Sequence, residues 1–306
     1  MRRLLYTLIV LFVGYAAHAQ YEPQYSQFIF NKLAFNPAYA GSKEALVLGA
    51  VYRHQWEGVV GAPRTMAAYT HAPFSGGRAG VGLAITSDKI GFTDNSYVDL
   101  SYAYRLKFDN KSTLSLGLMS RFEYSQINWE QAQIVDIGDE DVPAGESGRT
   151  TLNFGMGVYY SSKSFYVGFS MPQILKPNLY GDEFFGIGNY SRFRNYYLMT
   201  GVIAPVGDNV LFKPAMMVSY SPNAPFELDI NASFIFMESF WLGATYRLGD
   251  SVDGVIQYQF TKQLKAGLAM DYTLTELQQY SKGSVEFLIE YLFSHEQGGV
   301  NNIRFF

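Results

Sequence analysis

Val98-Asp99-Leu100-Ser101-Tyr102-Ala103-Tyr104-Arg105-Leu106-Lys107 carries a large apolar residue at every even position and a polar or small residue at every odd one. Successive side chains of a strand point to opposite faces, so this stretch reads as a strand with one apolar and one polar face. The pattern repeats along the chain. Val81, Leu83 and Ile85 alternate with Gly80, Gly82, Ala84 and Thr86; Leu152, Phe154, Met156, Val158 and Tyr160 alternate with Asn153, Gly155, Gly157, Tyr159 and Ser161. Leu264, Ala266, Leu268, Met270 and Tyr272 do the same against Lys265, Gly267, Ala269 and Asp271.

Extending this reading predicts about fourteen antiparallel strands, over 45–53, 63–72, 78–87, 96–107, 112–125, 150–161, 164–171, 192–204, 210–221, 226–236, 239–248, 251–260, 263–273 and 283–293. The phase of 192–204 is ambiguous, and Pro214 is awkward inside 210–221 because proline donates no ladder hydrogen bond. Most of these strands have roughly the 9–11 residues that cross a bilayer when tilted. Their connections sort by parity. Gaps such as 108–111, 162–163 and 237–238 are short, whereas 54–62, 126–149, 172–191 and 274–282 are long. Short periplasmic turns facing longer outer loops are the habit of transmembrane barrels. A soluble β-sandwich has no cause to sort its loops this way.

The ends and the composition agree. Arg2 and Arg3, the apolar run Leu4 to Tyr15, and Ala17-His18-Ala19 form the charged, apolar and small-residue regions of a cleavable signal peptide, expected over 1–19. No later segment is apolar enough for a membrane helix, so a membrane form has to be a closed barrel, because lipid offers no partner to open strand edges. Aromatics reach 17% and charged residues only 16%, against about 25% in a soluble domain. Paired rings near strand ends (Tyr102 and Tyr104, Tyr159 and Tyr160, Tyr196 and Tyr197, Phe234 and Phe236, Tyr291 and Phe293) suit interfacial girdles. There is no cysteine, so no disulfides, and a formal charge of −4 leaves no basic footprint for nucleic acid. The expected organisation is a signal peptide 1–19, an N-terminal segment 20–44 packed in or under the barrel, a barrel over 45–293, and a tail over 294–306.

The N-terminal segment carries a family signature. Gln24-Tyr25-Ser26-Gln27-Phe28 and Asn36-Pro37-Ala38-Tyr39-Ala40-Gly41-Ser42 resemble the opening of the PorP/SprF family of type IX secretion system membrane proteins of Bacteroidetes. The resemblance continues through Gln55-Trp56-Glu57-Gly58, Asp88-Lys89-Ile90-Gly91, Asn153-Phe154-Gly155-Met156-Gly157, Phe212-Lys213-Pro214 and Phe240-Trp241-Leu242-Gly243. It makes Pro214 a family feature. It implies an outer-membrane barrel in protein export, with a cognate adhesin-type secreted protein, other type IX components and periplasmic peptidoglycan-associated subunits as expected partners.

No catalytic centre, cofactor site or metal site is expected. Of the histidines beyond the leader, His54 falls at the top of strand one, His71 toward the base of strand two, and His295 in the tail. Their different heights disfavour a shared metal site or a common catalytic centre, and a Ser–His–acid site needs one of them beside a serine and an acid. Asp136, Asp139, Glu140 and Asp141 cluster in one long loop, but without the alternating acidic spacing and fixed glycine of an EF-hand. The glycines in Gly80-Val81-Gly82 and Gly155-Met156-Gly157 fall inside strands, where they leave lumen space and do not cradle phosphate. Asp99, Arg105, Lys107, Arg121, Glu123, Lys213, Glu227, Asp229, Arg247, Lys265, Asp271, Glu286 and Glu290 are expected to face the lumen. Gln55, Trp56 and Glu57, with Arg64, make the candidate protein-contact patch, since Trp and Arg are favoured at binding hot spots.

Two non-enzymatic functions remain open on this reading: a barrel serving type IX secretion or surface attachment, and a general porin or small-solute transporter. A lipid-modifying barrel enzyme is disfavoured by the scattered histidines.

Overall fold

The computed structural model describes residues 23–129, 146–175, 194–222 and 224–293. The expected leader, the acidic residues Asp136 to Asp141, and the tail with His295 lie outside them. The described strands are β1 (Leu46–His54), β2 (Arg64–Phe74), β3 (Ala79–Ile90), β4 (Thr93–Lys107), β5 (Thr113–Asn128), β6 (Glu146–Ser161) and β7 (Phe165–Met171). They continue with β8 (Tyr196–Val202), β9 (Ala204–Gly207), β10 (Val210–Tyr220), β11 (Glu227–Phe236), β12 (Phe240–Arg247), β13 (Ser251–Gln259), β14 (Leu264–Thr273) and β15 (Ser284–Phe293). β8 and β9 both pair with β10 and form one stave, so the staves number fourteen.

Each stave pairs antiparallel with the next. The ring closes where β1 meets β15, in register from Leu46↔Phe293 to His54↔Val285. No open edge remains between the first and last strands, which is what a sheet in hydrocarbon requires. Among the described residues no helix is long and apolar enough to cross a membrane. The fourteen-strand barrel read from the alternation is the architecture found, with stave ends differing from the expected ones by a few residues.

The misfit at Pro214 has a local cause. β10 pairs with β9 through Phe212↔Ala204 and with β8 from Ala215↔Gly201 onward. Lys213 and Pro214 therefore lie where the ladder changes partner, and the missing N–H falls in that break. The same interruption, at Ile203, is why the phase of 192–204 could not be fixed from its sequence.

Alternation decides which side chains meet lipid. Leu100, Tyr102 and Tyr104 are exposed on the outer face, while Asp99, Ser101 and Arg105 are buried inside. Two expectations need correction. Lys107 is not buried in the lumen: it shares the inward parity of Arg105 but lies exposed at the rim, 3.0 Å from Glu44, because β4 ends there. Tyr159 and Tyr197 do not belong to an interfacial girdle. They point inward, with Tyr159 stacked edge-on against Tyr39 at 5.4 Å and Tyr197 against Phe35 at 5.3 Å. Tyr102, Tyr104, Phe234 and Phe293 are exposed, as a girdle needs.

Candidate functional site

The feature that sets the chemistry of this barrel is what fills it. The segment before β1 forms two short 3-10 turns, Lys32–Ala34 and Pro37–Tyr39. The second is capped by the Asn36 side chain, which accepts from the Ala38 N–H at 2.9 Å. Tyr25, Phe28, Ile29, Phe30, Leu33 and Phe35 are all buried, and so are Ala38, Tyr39 and Ala40. Their surroundings are the inner faces of the staves.

This plug touches every stave. Ser26 and Gln27 donate their backbone N–H groups to the two Glu286 carboxylate oxygens at 2.8 and 3.0 Å, and Ser26 Oγ donates to Asp271 at 2.6 Å. Arg53 of β1 donates to Ser26 Oγ, to Glu286 at 3.0 Å and to Asp271 at 2.6 Å. Gln24 bridges Glu227 of β11 and Arg247 of β12, and Gln257 of β13 donates to Gln27. Gly41 N–H donates to His71 Nδ1 of β2 at 3.2 Å. Ser170 of β7 donates to the Phe35 carbonyl at 2.8 Å. Tyr197 of β8 packs on Phe35, Lys213 of β10 lies 5.6 Å from the Phe30 ring centre, and the Pro37–Tyr39 turn packs against β4, β5 and β6.

The lumen-facing glycines explain how backbone fits so closely. A Cβ on Gly80 of β3 would sit 2.2 Å from the Ala40 oxygen, and one on Gly117 of β5 would sit 2.2 Å from the Ala38 nitrogen. One on Gly157 of β6 would meet the Asn36 side chain at 2.1 Å. Only glycine leaves room at such contacts.

Charge is layered along the bore. Near the rim carrying the connections 55–63 and 274–283, Glu227, Asp229, Asp271 and Glu286 surround Arg53 and Arg247, and Arg121 binds Asp99 through two hydrogen bonds of 2.6 and 2.7 Å. Near the opposite rim, Glu290 takes Lys43 and Lys265 on one oxygen and the Tyr69 hydroxyl on the other. Lys32 of the plug lies 4.0 Å over the Tyr166 ring. Burial, and then Lys213, Lys43 and Lys265 nearby, hold its ammonium well below the usual lysine range, with Glu290 opposing. Of the residues expected in the lumen, Asp99, Arg105, Arg121, Glu123, Lys213, Asp229, Arg247, Lys265, Asp271, Glu286 and Glu290 are buried, and Glu227 is half-buried.

Arg53, Asp88, Asp253 and Lys32 are buried charges that the sequence reading missed. Parity could have found Arg53 and Asp253. Arg53 shares a face with Val47, Gly49 and Val51, and Asp253 shares one with Ser251, Val255 and Gln257. Lys32 gave no signal, because a 3-10 turn has no long period.

The candidate contact patch divides. Trp56 and Glu57 lie in the connection between β1 and β2, and Arg64 is exposed at the start of β2. Gln55 is buried, its N–H donating to the Pro63 carbonyl at 3.0 Å. Trp56 takes a left-handed backbone (φ 48°), which sets the turn. Glu57 then exchanges two backbone hydrogen bonds of 2.8 Å with Gly283 and Lys282, tying this loop to the one before β15. The tied loops present Val60 and Tyr280 at their tips, 101% and 73% exposed. Among the described residues, no three His, Cys, Asp or Glu side chains are grouped to hold a metal ion.

Comparison with known proteins places these features. The profile of the type IX secretion system membrane protein PorP/SprF family matches residues 17–291. No curated protein matches the sequence. Among solved structures, the CymD monoaromatic hydrocarbon channel is similar at 11% identity and a TM-score of 0.51, over 89% of this chain and 94% of that one. The outer membrane protein Omp33 of Acinetobacter baumannii is similar at 9% identity and 0.47, over 83% of this chain and 100% of that one. A FadL homologue of Pseudomonas aeruginosa is similar at 11% identity and 0.48, over 91% and 96%. At such identities the likeness concerns the fold alone.

Proposed function

Because this chain belongs to the PorP/SprF family of type IX secretion system membrane proteins, we propose that it supports the secretion or surface attachment of one cognate, large, adhesin-type protein, without enzymatic activity of its own. It is an outer-membrane β-barrel, and other components of the secretion system are its partners. Periplasmic peptidoglycan-associated subunits are proposed as further contacts.

The plug is the observation that favours this reading over a porin. A porin needs a continuous aqueous path, and here the chain's own N-terminal segment reaches every stave. Burying Phe28, Ile29, Phe30, Leu33 and Phe35 contributes about 1.5–3 kcal/mol each, so displacing the segment costs on the order of 10 kcal/mol. Solute traffic does not supply that energy. What remains available to partners is the surface of the rims. Trp56, Glu57 and Arg64, beside Val60 and Tyr280, are the proposed contact patch.

Cross-linking in native outer membranes followed by capture of a tagged chain tests the proposal. The expected result is recovery of type IX components together with one large adhesin-type protein. Combining Trp56→Ala with Arg64→Glu should lose that protein while the barrel stays in the membrane. Capture of neither class of partner overturns the proposal.

A further inference from the structure

Three neighbouring staves outrun those beside them. β4, β5 and β6 have 15, 16 and 16 residues, whereas β7 and β8 have 7 each. On the outer face the aligned Val98, Phe122 and Leu152 give way to Ser96, Tyr124 and Thr150. A lipid-facing apolar band bounded by an aromatic ring ends in this manner. The three strands therefore continue past the band as a ribbon, on the rim that carries the connection between β5 and β6. β6 is the edge of that ribbon. It pairs with β5 along its whole length, from Thr113↔Ser161 to Asn128↔Glu146, but with β7 only from Met156↔Met171 to Ser161↔Tyr166. After Met171 the chain leaves the ladder. The Phe154 carbonyl still accepts from the Ile174 N–H at 2.8 Å, and the Phe154 N–H donates to the Asn153 side chain at 2.9 Å. Alternate residues of an antiparallel strand direct their backbone groups to the same side. Leu152, Thr150 and Gly148 thus turn theirs away from β5, as Phe154 does. Among the described residues nothing pairs with them there. Exposed edges are usually blunted by proline, lysine or a bulge. From Glu146 to Phe154 there is no proline and no lysine, and the register with β5 is unbroken.

We propose that the free edge of β6 at Gly148, Thr150 and Leu152 accepts an extended segment of the exported protein as an added strand. Another extended backbone offers donors and acceptors at the spacing of alternate strand residues. Such pairing draws affinity from the main chain and specificity from alternate side chains. The edge has its own chemistry. A Cβ on Gly148 would lie 2.5 Å from the Tyr124 hydroxyl oxygen, so that ring covers the glycine and favours a β-branched or aromatic residue beside it. Arg149 is exposed on the other face, has no ion pair among the described residues, and favours an acidic neighbour. The inference deepens the secretion reading and rests on it for the origin of the partner, while the edge itself rests on the ladder.

The test is photo-cross-linking of the full chain in its native outer membrane, with benzoylphenylalanine placed at Thr150, at Leu152 or, as a lipid-facing control, at Leu116. The first two positions should give adducts with one large exported protein, and Leu116 should give none. Moving the probe from Thr150 to Leu152 should shift the attachment site by about two residues along one extended segment, the signature of strand pairing. Thr150→Pro removes an N–H that faces away from β5, so the barrel should keep its heat-modifiable migration on gels while the Leu152 adduct falls about tenfold. Thr150→Val keeps that N–H and should leave the adduct unchanged. The proposal is overturned if neither position yields a protein adduct, if the adducts join only the chain's own residues 176–193, if the attachment sites are scattered, or if a folded Thr150→Pro barrel cross-links undiminished. A stepped ladder on a protein that is not exported overturns the partner named here. Failure of the secretion reading is a separate result: a tagged chain then captures no type IX component and no adhesin-type protein, whereas failure of the edge alone leaves that capture intact.

Discussion

The full-length protein in a planar bilayer is expected to give no steady conductance, and replacing residues 24–40 with a flexible Gly/Ser chain should convert it into an open pore. The fourteen staves of this barrel lie between the small barrels filled by side chains and the 16–18-stranded porins with an aqueous bore. What closes it is the segment that joins β1 at Leu46 and is buried along Tyr25 to Ala40. Its contacts run from Gln24 at Glu227 and Arg247 down to Lys43 at Glu290. The contrast between silent and conducting protein is thus all-or-none. A milder variant gives the same test without removing the segment. Gly117→Trp places an indole where the Ala38 backbone now lies, so the Pro37–Tyr39 turn must move and the bore should leak. Steady conductance of the unaltered protein, or a silent but correctly folded barrel lacking residues 24–40, would show that the lumen is controlled by something other than this segment.

Arg53→Met is expected to be the most destabilising single substitution in the wall. Arg53 holds Asp271 at 2.6 Å and Glu286 at 3.0 Å, with side-chain exposures of 1%, 3% and 0%. Removing one partner of a buried ion cluster leaves charge without compensation and costs about 3–5 kcal/mol. Two carboxylates would be stranded here, and the anchor of Ser26 would go with the guanidinium. Neutralising the stranded groups with Asp271→Asn and Glu286→Gln in the same chain should restore most of the stability, since the shape is kept while the unpaired charge is removed. Denaturant unfolding in micelles reads both effects. A loss below about 1 kcal/mol for Arg53→Met, the range of a solvated pair, would mean that water reaches the cluster and that it does not clamp the plug.

The wall was legible because it is governed by a period of two. The parity of Val98 to Lys107 predicts which side of β4 meets lipid, and the structure agrees until Lys107, where the strand runs out at the rim. Aromatic pairs misled for the same reason that they attract notice. Tyr159 and Tyr160 are adjacent, so only one of them can face lipid, and Tyr159 goes inward to stack on Tyr39. The interior was far less legible. Residues 24–44 have no period, so nothing in their order says that Ser26 reaches residues more than 240 positions away or that Ala38 lies against Gly117. The signal that did exist was indirect. Small residues at Gly80, Gly117 and Gly157 mark places on the inner face where another backbone approaches, although not which one. Of the contact patch, Trp56, Glu57 and Arg64 sit at the rim, whereas Gln55 is held by Pro63 inside the wall. A loop sequence does not disclose that difference.

Deleting the gene for this chain and measuring the proteins displayed on and released from the cell surface by mass spectrometry tests the central proposal most directly. The expected result is loss of one large adhesin-type protein from the outside of the cell while other type IX cargo persists, with display restored by the unaltered chain. A surface and secreted proteome unchanged by the deletion would contradict the account.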